Sequence, residues 1–326
     1  MIELLESRFE IGPHELSISP SIGIALYPVD VSNFDELARS ADAAMYRAKH
    51  GGRNTFRFFI VEIQAYSARI FTLENALRHA VERKQLSIHY QPQISAAGDY
   101  IVGAEALLQW NHPELGSVSS AEFVAVAESS GLISPIGEWV LRTACSQLKS
   151  WLDAGRQLPS LSVNLSAVQF WQEALPELVS QVFRESAVPP RRLELELTGS
   201  VAADDPMGAV AIIQRLLETG VRMSIDDFGT GHRSLSYLKR FKVNRLKIEQ
   251  PFVRNVLDDP DDQAIVRFII SLESNLGLQT IAEGVETLAQ KNYLCKLGCM
   301  EIQGYWLSRP LPVEQFEAFM RDRAGG

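Results

Sequence analysis

Two kinds of pattern alternate along most of this chain. Short runs carry apolar residues at every second position, and longer runs between them carry apolar residues three and four apart. The short runs are "SIHYQPQI", "IVGAEALLQW", "LSVNLS", "LELELT", "RMSIDDFG", "RLKIE", "QTIAEGV" and "CMEIQGYW". Alternation marks strands and the longer period marks helices. One helix is predicted to open at Ser119–Ala121–Glu122 with capping-box spacing. A second runs from Ser134 to a stop at Gly155, and a third opens on Asp204-Asp205-Pro206 and ends at Gly220. Eight strands, most followed by a helix, predict an α/β fold of the (β/α)8 barrel kind. A doubly wound open sheet is the competing architecture, but no G-x-G-x-x-G follows any strand.

Upstream the pattern is thinner. "ELSISPSIGIALY" (15–27) reads as extended segments around Pro20. "NFDELARSADAAMYRAKHGG" predicts a helix with Phe34, Leu37, Ala38, Ala41, Ala44, Met45 and Ala48 as its apolar positions, stopped by Gly51 and Gly52. That glycine pair follows a helix and does not open one, so it is a helix stop and not a phosphate loop. So few elements cannot close a core, which predicts a piece of a larger α+β domain over 1–58. "RIFTLENALRHAVERKQ" (69–85) predicts the entry helix, with Ile70, Leu73, Leu77 and Val81 in one stripe. The expected division is therefore 1–58, a connector over 59–85, and the barrel over 86–326.

The barrel strands are unusual in being polar on one face. Leu193, Leu195 and Leu197 oppose Glu194, Glu196 and Thr198, while Leu161, Val163 and Leu165 oppose Ser162, Asn164 and Ser166. Glu105 and Gln109 oppose Ala104, Ala106, Leu108 and Trp110, and Lys247 and Glu249 oppose Leu246 and Ile248. Apolar faces pack under outer helices, which turns the polar faces into the barrel. Glu105, Asn164, Glu196, Asp226, Asp227, Lys247, Glu283 and Gln303 are thereby expected to converge at the C-terminal mouth, where barrel sites form.

Charge and composition narrow the chemistry. The net charge of −9 disfavours binding of duplex nucleic acid. Cys145, Cys295 and Cys299 make neither a disulfide framework nor a zinc spacing, so reduced thiols are expected. No membrane-length apolar run or signal-peptide pattern is evident, which predicts a cytoplasmic location, with room for a membrane anchor upstream in a longer protein. Clustered carboxylates need compensating charge, and one lysine does not suffice. Oxygen donors of this kind call for Mg2+ or Mn2+, not zinc. Adjacent Asp226 and Asp227 could reach two ions, the arrangement used for phosphoester displacement.

With those residues in view, 69–326 resembles the EAL domain of bacterial cyclic-di-GMP phosphodiesterases. The resemblance runs through "YQPQI", "GAEALLQW", "VNLS", "ELT", "DDFGTG", "SLSYL", "LKIE", "FV", "IAEGVET" and "QGYWLSRPL". Residues 15–58 are similar to the closing strand and helix of a GGDEF (diguanylate cyclase) domain, in "SIGIALYP" and "ADAAMYRAKHGGRN", without its signature loop. The resemblance implies hydrolysis of cyclic di-GMP to linear 5'-pGpG, two Mg2+ or Mn2+ ions that activate the attacking water, a homodimer, and sensory and GGDEF domains upstream. It implies Glu105, Asn164, Glu196 and Asp226 as metal ligands and Asp227 as a ligand of the second ion. Lys247 would contact the attacking water or the phosphate, Glu283 would be general base or second-ion ligand, and Glu286 its neighbouring loop acid. Gln91, Leu107, Gln109, Gln303, Pro310 and Arg233 would line the substrate pocket.

Several positions depart from that family's pattern. Gln109 stands where arginine is usual, Gly199 replaces a glutamate, His232 and Arg233 replace tyrosine and serine, and Glu249 replaces aspartate. A neutral amide at 109 grips phosphate less well than a guanidinium, and Arg233 is the candidate to supply the missing cation. These changes keep open a receptor that holds cyclic di-GMP without cleaving it. A glycosidase using two barrel acids is opposed by Asn164, Lys247 and the paired aspartates.

Overall fold

The alternating runs become strands and the helical runs become helices, in the expected order. The structure is a computed structural model that describes residues 9–11, 14–16, 20–27, 33–51, 54–59, 61–202, 205–228 and 240–324, with 9–11, 14–16, 61–67, 200, 202, 227–228, 273–275 and 324 as backbone only. It divides into two compact units, one of residues 1–79 with 122–130 and one of 80–121 with 131–326.

In the first unit, β1 (Phe9–Ile11) and β2 (His14–Leu16) form an antiparallel pair. Strand β3 (Ser21–Ile24) pairs in parallel with β4 (Thr55–Phe58), and α1 (Phe34–His50) makes the crossover. Asn33 caps α1 by accepting from the Glu36 amide at 2.8 Å. The buried face of α1 is Ser40, Ala44 and Ala48, while Phe34 and Met45 are exposed. The expected stripe is thus rotated: small side chains let β3 and β4 approach, and the two large ones stay outside. Helix α2 (Val61–Leu77) starts before the expected entry helix and stops well before residue 85. Ile70, Leu73 and Leu77 are buried as expected, but Val81 lies in a turn, not on the stripe. The chain must reverse there, and it does so with Lys84 in the left-handed region at φ 54° and Gln85 donating to Ala80 O at 2.9 Å.

The second unit is a barrel. Its strands are β5 (Leu86–Ser95), β6 (Ile101–His112), β8 (Leu161–Leu165), β9 (Leu193–Thr198), β10 (Arg222–Phe228), β11 (Arg245–Ile248), β12 (Gln279–Ala282) and β13 (Glu301–Ile302), with β7 (Gly116–Val118) added outside on β6. The ring closes through the β5–β6 pairing. Every pairing from β6 round to β13 is parallel, but β5 runs antiparallel to both its neighbours. This departs from a fully parallel (β/α)8 ring, because β5 reaches β6 through a tight turn with Asp99 at φ 53° and no crossover helix.

The helices after α3 (Ser120–Ser130) are α4 (Ile133–Asp153), α5 (Ala167–Phe170), α6 (Leu175–Ser186), α7 (Pro206–Glu218), α8 (Gln250–Arg254), α9 (Pro260–Leu276), α10 (Leu288–Leu297) and α11 (Val313–Ala324). Their starts and stops follow local chemistry. Asp205 accepts from the Gly208 amide at 2.9 Å with Pro206 at the first position of α7, and Gly155 and Gly220 take positive φ beyond α4 and α7. Ile136, Val140, Ala144, Leu148 and Trp151 form the buried face of α4. The leucines of β9 are buried too, each large side chain worth about 1.5–3 kcal/mol in burial. Cys145 and Cys299 are buried free thiols and Cys295 is half-buried. Among the described residues no helix is long and apolar enough to cross a membrane.

Candidate active site

The polar faces do turn inward, and the register lines them up. Gln91 on β5 lies opposite Glu105 on β6, Asn164 on β8 beside Glu196 on β9, and Thr198 beside Asp226 on β10. The β10–β11 register slips between Ile225 and Phe228, so the two aspartates sit in an irregularity of the kind that re-aims side chains. Glu283 and Gln303 lie one residue beyond β12 and β13. Their amides still join the sheet, Glu283 donating to Ile248 O at 2.9 Å and Gln303 to Ala282 O at 2.8 Å. Gly284 at φ 66° then turns the chain away, where a side chain would strike Gln250.

Lys247 is the hub. Its ammonium, 1 % exposed, contacts Glu196 and lies 2.6 Å from Glu283, 3.3 Å from Asp226 and 3.8 Å from Glu105. Burial pulls that ammonium down, but Glu105, Glu196, Glu283 and Asp226 outweigh it and hold it well above the ordinary lysine value. The acids respond oppositely. Burial first, then Glu105, Asp226 and Glu283, push Glu196 well up despite Lys247. Glu283 is pushed up to about 8, by burial and then by Asp226 and Glu105, against the pull of Lys247. Four carboxylates around one ammonium therefore remain short of positive charge.

The donor set at the mouth suits a divalent ion. Glu105, Asn164, Glu196 and Asp226 present oxygens, the donors that hard cations take. Asn164 is exposed at the mouth and donates its Nδ2 to Glu105 Oε1 at 2.6 Å, leaving its own oxygen available. Glu196 Oε1 is buried with no hydrogen-bond partner among the described residues. An orphaned carboxylate oxygen beside uncompensated acids fits a cation. As placed, no three His, Cys, Asp or Glu side chains among the described residues are already gathered as a metal cage. Lys247 draws the carboxylates onto its own ammonium instead.

The structure brings Gln91, Glu105, Asn164, Glu196, Asp226, Lys247, Glu283 and Gln303 into one connected group. Glu286 stands apart: it is exposed and accepts from Gln250 Nε2 at 3.4 Å. Leu107 and Gln109 lie further along β6, half-buried and paired in register with His89 and Ser87, and Pro310 is half-buried beside the Leu311–Tyr90 bridge. Gly199 opens a short 3-10 turn after β9. The Asp227 side chain, His232 and Arg233 lie outside what is described. Gln93, Arg245 and Glu301, which the alternation argument did not single out, also point inward, in a layer beneath the mouth. Arg245 pairs there with Glu194 at 3.0 Å and Glu301 at 2.9 Å. The signal was present: Arg245 stands two residues before Lys247 and Glu194 two before Glu196, on the same faces.

Known proteins share this architecture. The EAL domain family matches residues 74–310, and the diguanylate cyclase GGDEF domain family matches residues 1–55. The chain is 44 % identical over 318 residues to the bifunctional diguanylate cyclase/cyclic di-GMP phosphodiesterase MucR of Pseudomonas aeruginosa, covering 98 % of this chain and 46 % of MucR. It is 38 % identical over 317 residues to the cyclic di-GMP phosphodiesterase PdeR of Escherichia coli, covering 97 % of this chain and 48 % of PdeR. The chain thus spans less than half the length of these curated relatives. The solved structure "PaMucR Phosphodiesterase, c-di-GMP complex" superposes with a TM-score of 0.73 at 45 % identity, over 75 % of this chain and 99 % of that one. A closed barrel with this ring of inward acids, matched over most of its length, places the chain in the EAL domain family.

Proposed function

We propose that this barrel hydrolyses one phosphodiester of cyclic di-GMP to give linear 5'-pGpG, using two ions of Mg2+ or Mn2+. The observation that carries the reading is the mouth itself: Glu105, Asn164, Glu196 and Asp226 around Lys247, with a buried Glu196 oxygen left unpartnered. The names of the relatives and of the superposed complex support cyclic di-GMP as the substrate. Glu105, Asn164, Glu196 and Asp226 would hold one ion and Asp227 would serve a second. Bound there, divalent ions activate water and offset charge on the phosphoryl oxygens.

The chain's own residues supply the rest. Lys247, kept charged by its acids, attracts the phosphate and steadies the charge that builds on it. Glu283, 2.6 Å from the Lys247 ammonium at the mouth, is placed to take a proton from the attacking water, with Glu286 near it in sequence. Gln303 and Gln91 fix the wall beneath, and Leu107, Gln109 and Pro310 with Arg233 receive the nucleotide. We assign the GGDEF-like piece to 1–58, the connector to 59–85 and the barrel to 86–326. The protein would act in the cytoplasm as a homodimer, with sensory domains upstream.

The test is direct. Chelator-stripped protein is incubated with cyclic di-GMP with and without Mn2+, and the nucleotides are separated by chromatography. Linear pGpG only in the presence of the ion is the expected result. Intact cyclic di-GMP in every condition contradicts hydrolysis, and retention of the nucleotide without cleavage would make the barrel a receptor.

A further inference from the structure

Beneath the mouth, four polar side chains form a single file. Arg245 Nη1 donates to Gln93 Oε1 at 3.4 Å, Gln93 Nε2 donates to Gln303 Oε1 at 2.9 Å, and Gln303 Nε2 donates to Glu105 Oε2 at 2.6 Å. Gln303 Nε2 also donates to Gln91 Oε1 at 2.9 Å, and Gln91 Nε2 donates to Ser308 O at 3.1 Å. Every side chain in the file is buried, Gln93 completely. The ends fix the direction. A guanidinium can only donate and a carboxylate can only accept, so both glutamines between them are held in one of their two amide senses. Arg245 is itself held at 3.0 Å from Glu194 and 2.9 Å from Glu301, so turning away would take its nearest cation from the fully buried Glu194.

The backbone is shaped to admit this file. Gly103 lies opposite Gln93 in the β5–β6 register, and a Cβ there would fall 2.7 Å from Gln93 Oε1 and 3.0 Å from Ser160 O. Any side chain at 103 would push the Gln93 amide off its line. Two residues on, the same strand carries Glu105.

We infer that Gln93 is a positioning residue for the site: it sets the amide sense of Gln303, so that Gln303 offers N–H and not C=O to Glu105. The inference rests on the reading of Glu105 as a metal ligand. Held this way, Glu105 keeps one oxygen tied to Gln303 and turns the other toward Asn164 and the mouth. With the amide reversed, the Gln303 oxygen would face the Glu105 carboxylate, repel it, and displace it from the donor set. Partners at one remove from a metal ligand typically change metal affinity or activity about 10–100-fold.

The test compares Gln93→Glu with Gln93→Met in the full chain. A glutamate at 93 can only accept, so Gln303 must turn its N–H groups toward it and present its oxygen to Glu105. Methionine fills the volume and dictates neither sense. A purely structural role would favour glutamate, which keeps the shape and pairs with Arg245. The positioning role predicts the reverse order: Mn2+ affinity falls on the order of 10–100-fold in Gln93→Glu and less in Gln93→Met, while Gln93→Glu melts no lower. The second readout needs no metal. In protein labelled with 15N-glutamine, the Gln303 side-chain amide signals, assigned by loss in Gln303→Ala, should move strongly in Gln93→Glu. An unmoved Gln303 amide, or Mn2+ affinity in Gln93→Glu equal to or above that of Gln93→Met, overturns the inference. If the wild type cleaves no cyclic di-GMP while the amide moves as stated, the hydrolase reading falls and the positioning of Gln303 stands.

Discussion

The barrel interior holds two layers in which acids surround basic side chains, and they are balanced differently. In the lower layer Arg245 and Arg222 face Glu194 and Glu301, two guanidiniums for two carboxylates. In the upper layer Lys247 faces Glu105, Glu196, Asp226 and Glu283. In the lower layer each carboxylate has a guanidinium beside it; in the upper one four carboxylates share a single ammonium, and Glu283 is driven up to about 8. Charged residues inside a fold are therefore not by themselves a sign of chemistry. The uncompensated remainder is the sign, because a buried deficit of charge persists only where something else completes it.

Substitutions can break the contrast. The largest effect on function is expected from Asp226→Ala or Glu105→Ala, which should lower turnover by about 10²–10³-fold or more while circular dichroism shows an intact barrel. Activity near wild type in either would remove that residue from the site. The largest effect on stability belongs below. Arg245→Met removes the guanidinium shared by Glu194 and Glu301 and leaves the buried Glu194 only its 3.4 Å contact with Arg222, with an expected loss of about 3–5 kcal/mol in urea unfolding that Mn2+ does not recover. Lys247→Met also strands acids, but there Mn2+ should restore much of the lost stability. Equal response of the two variants to the ion would erase the distinction between the layers.

Smaller effects sharpen it. The folded-state pKa of Glu283 lies above its ordinary value, so its protonation stabilises the metal-free fold below about 4.5, and that contribution is lost as pH rises through about 8. The melting temperature of chelator-stripped protein should therefore fall between pH 6 and 9, and added Mn2+ should raise it most at the alkaline end. A flat profile would show that Glu283 is not under this strain. Gln109→Arg should lower the KM for cyclic di-GMP about tenfold if the neutral amide is the weak point, since a charged hydrogen bond to phosphate is worth about 1.5–3 kcal/mol. An unchanged KM would assign phosphate binding to another group.

The upper layer was legible in the sequence because alternation is a local property. Once the leucines of "LELELT" are assigned to the helix-facing side, Glu196 must point inward, and the same logic placed Asn164 and Lys247. Features that depend on which strands meet were not legible. Nothing in "YQPQI" says that β5 runs antiparallel, or that Gln93 will face Gln303 and Arg245 across the barrel. Helix ends were less legible than helix faces: α2 stops at Leu77 because the chain must turn into β5, a tertiary demand that overrides the good helix formers after it. The stripe of α1 was misplaced for a related reason. Phe34 and Met45 match the helical period, but close approach of β3 and β4 selects Ser40, Ala44 and Ala48.

Hydrolysis at this mouth depends on a divalent cation seated in the upper layer. Titrating Mn2+ into chelator-stripped protein and reading the free ion by electron paramagnetic resonance measures this directly. Saturable binding is expected, abolished in Asp226→Ala and unchanged in Ser162→Ala, which alters the layer below. A wild type that binds no Mn2+, or an Asp226→Ala variant that binds it equally well, would contradict it.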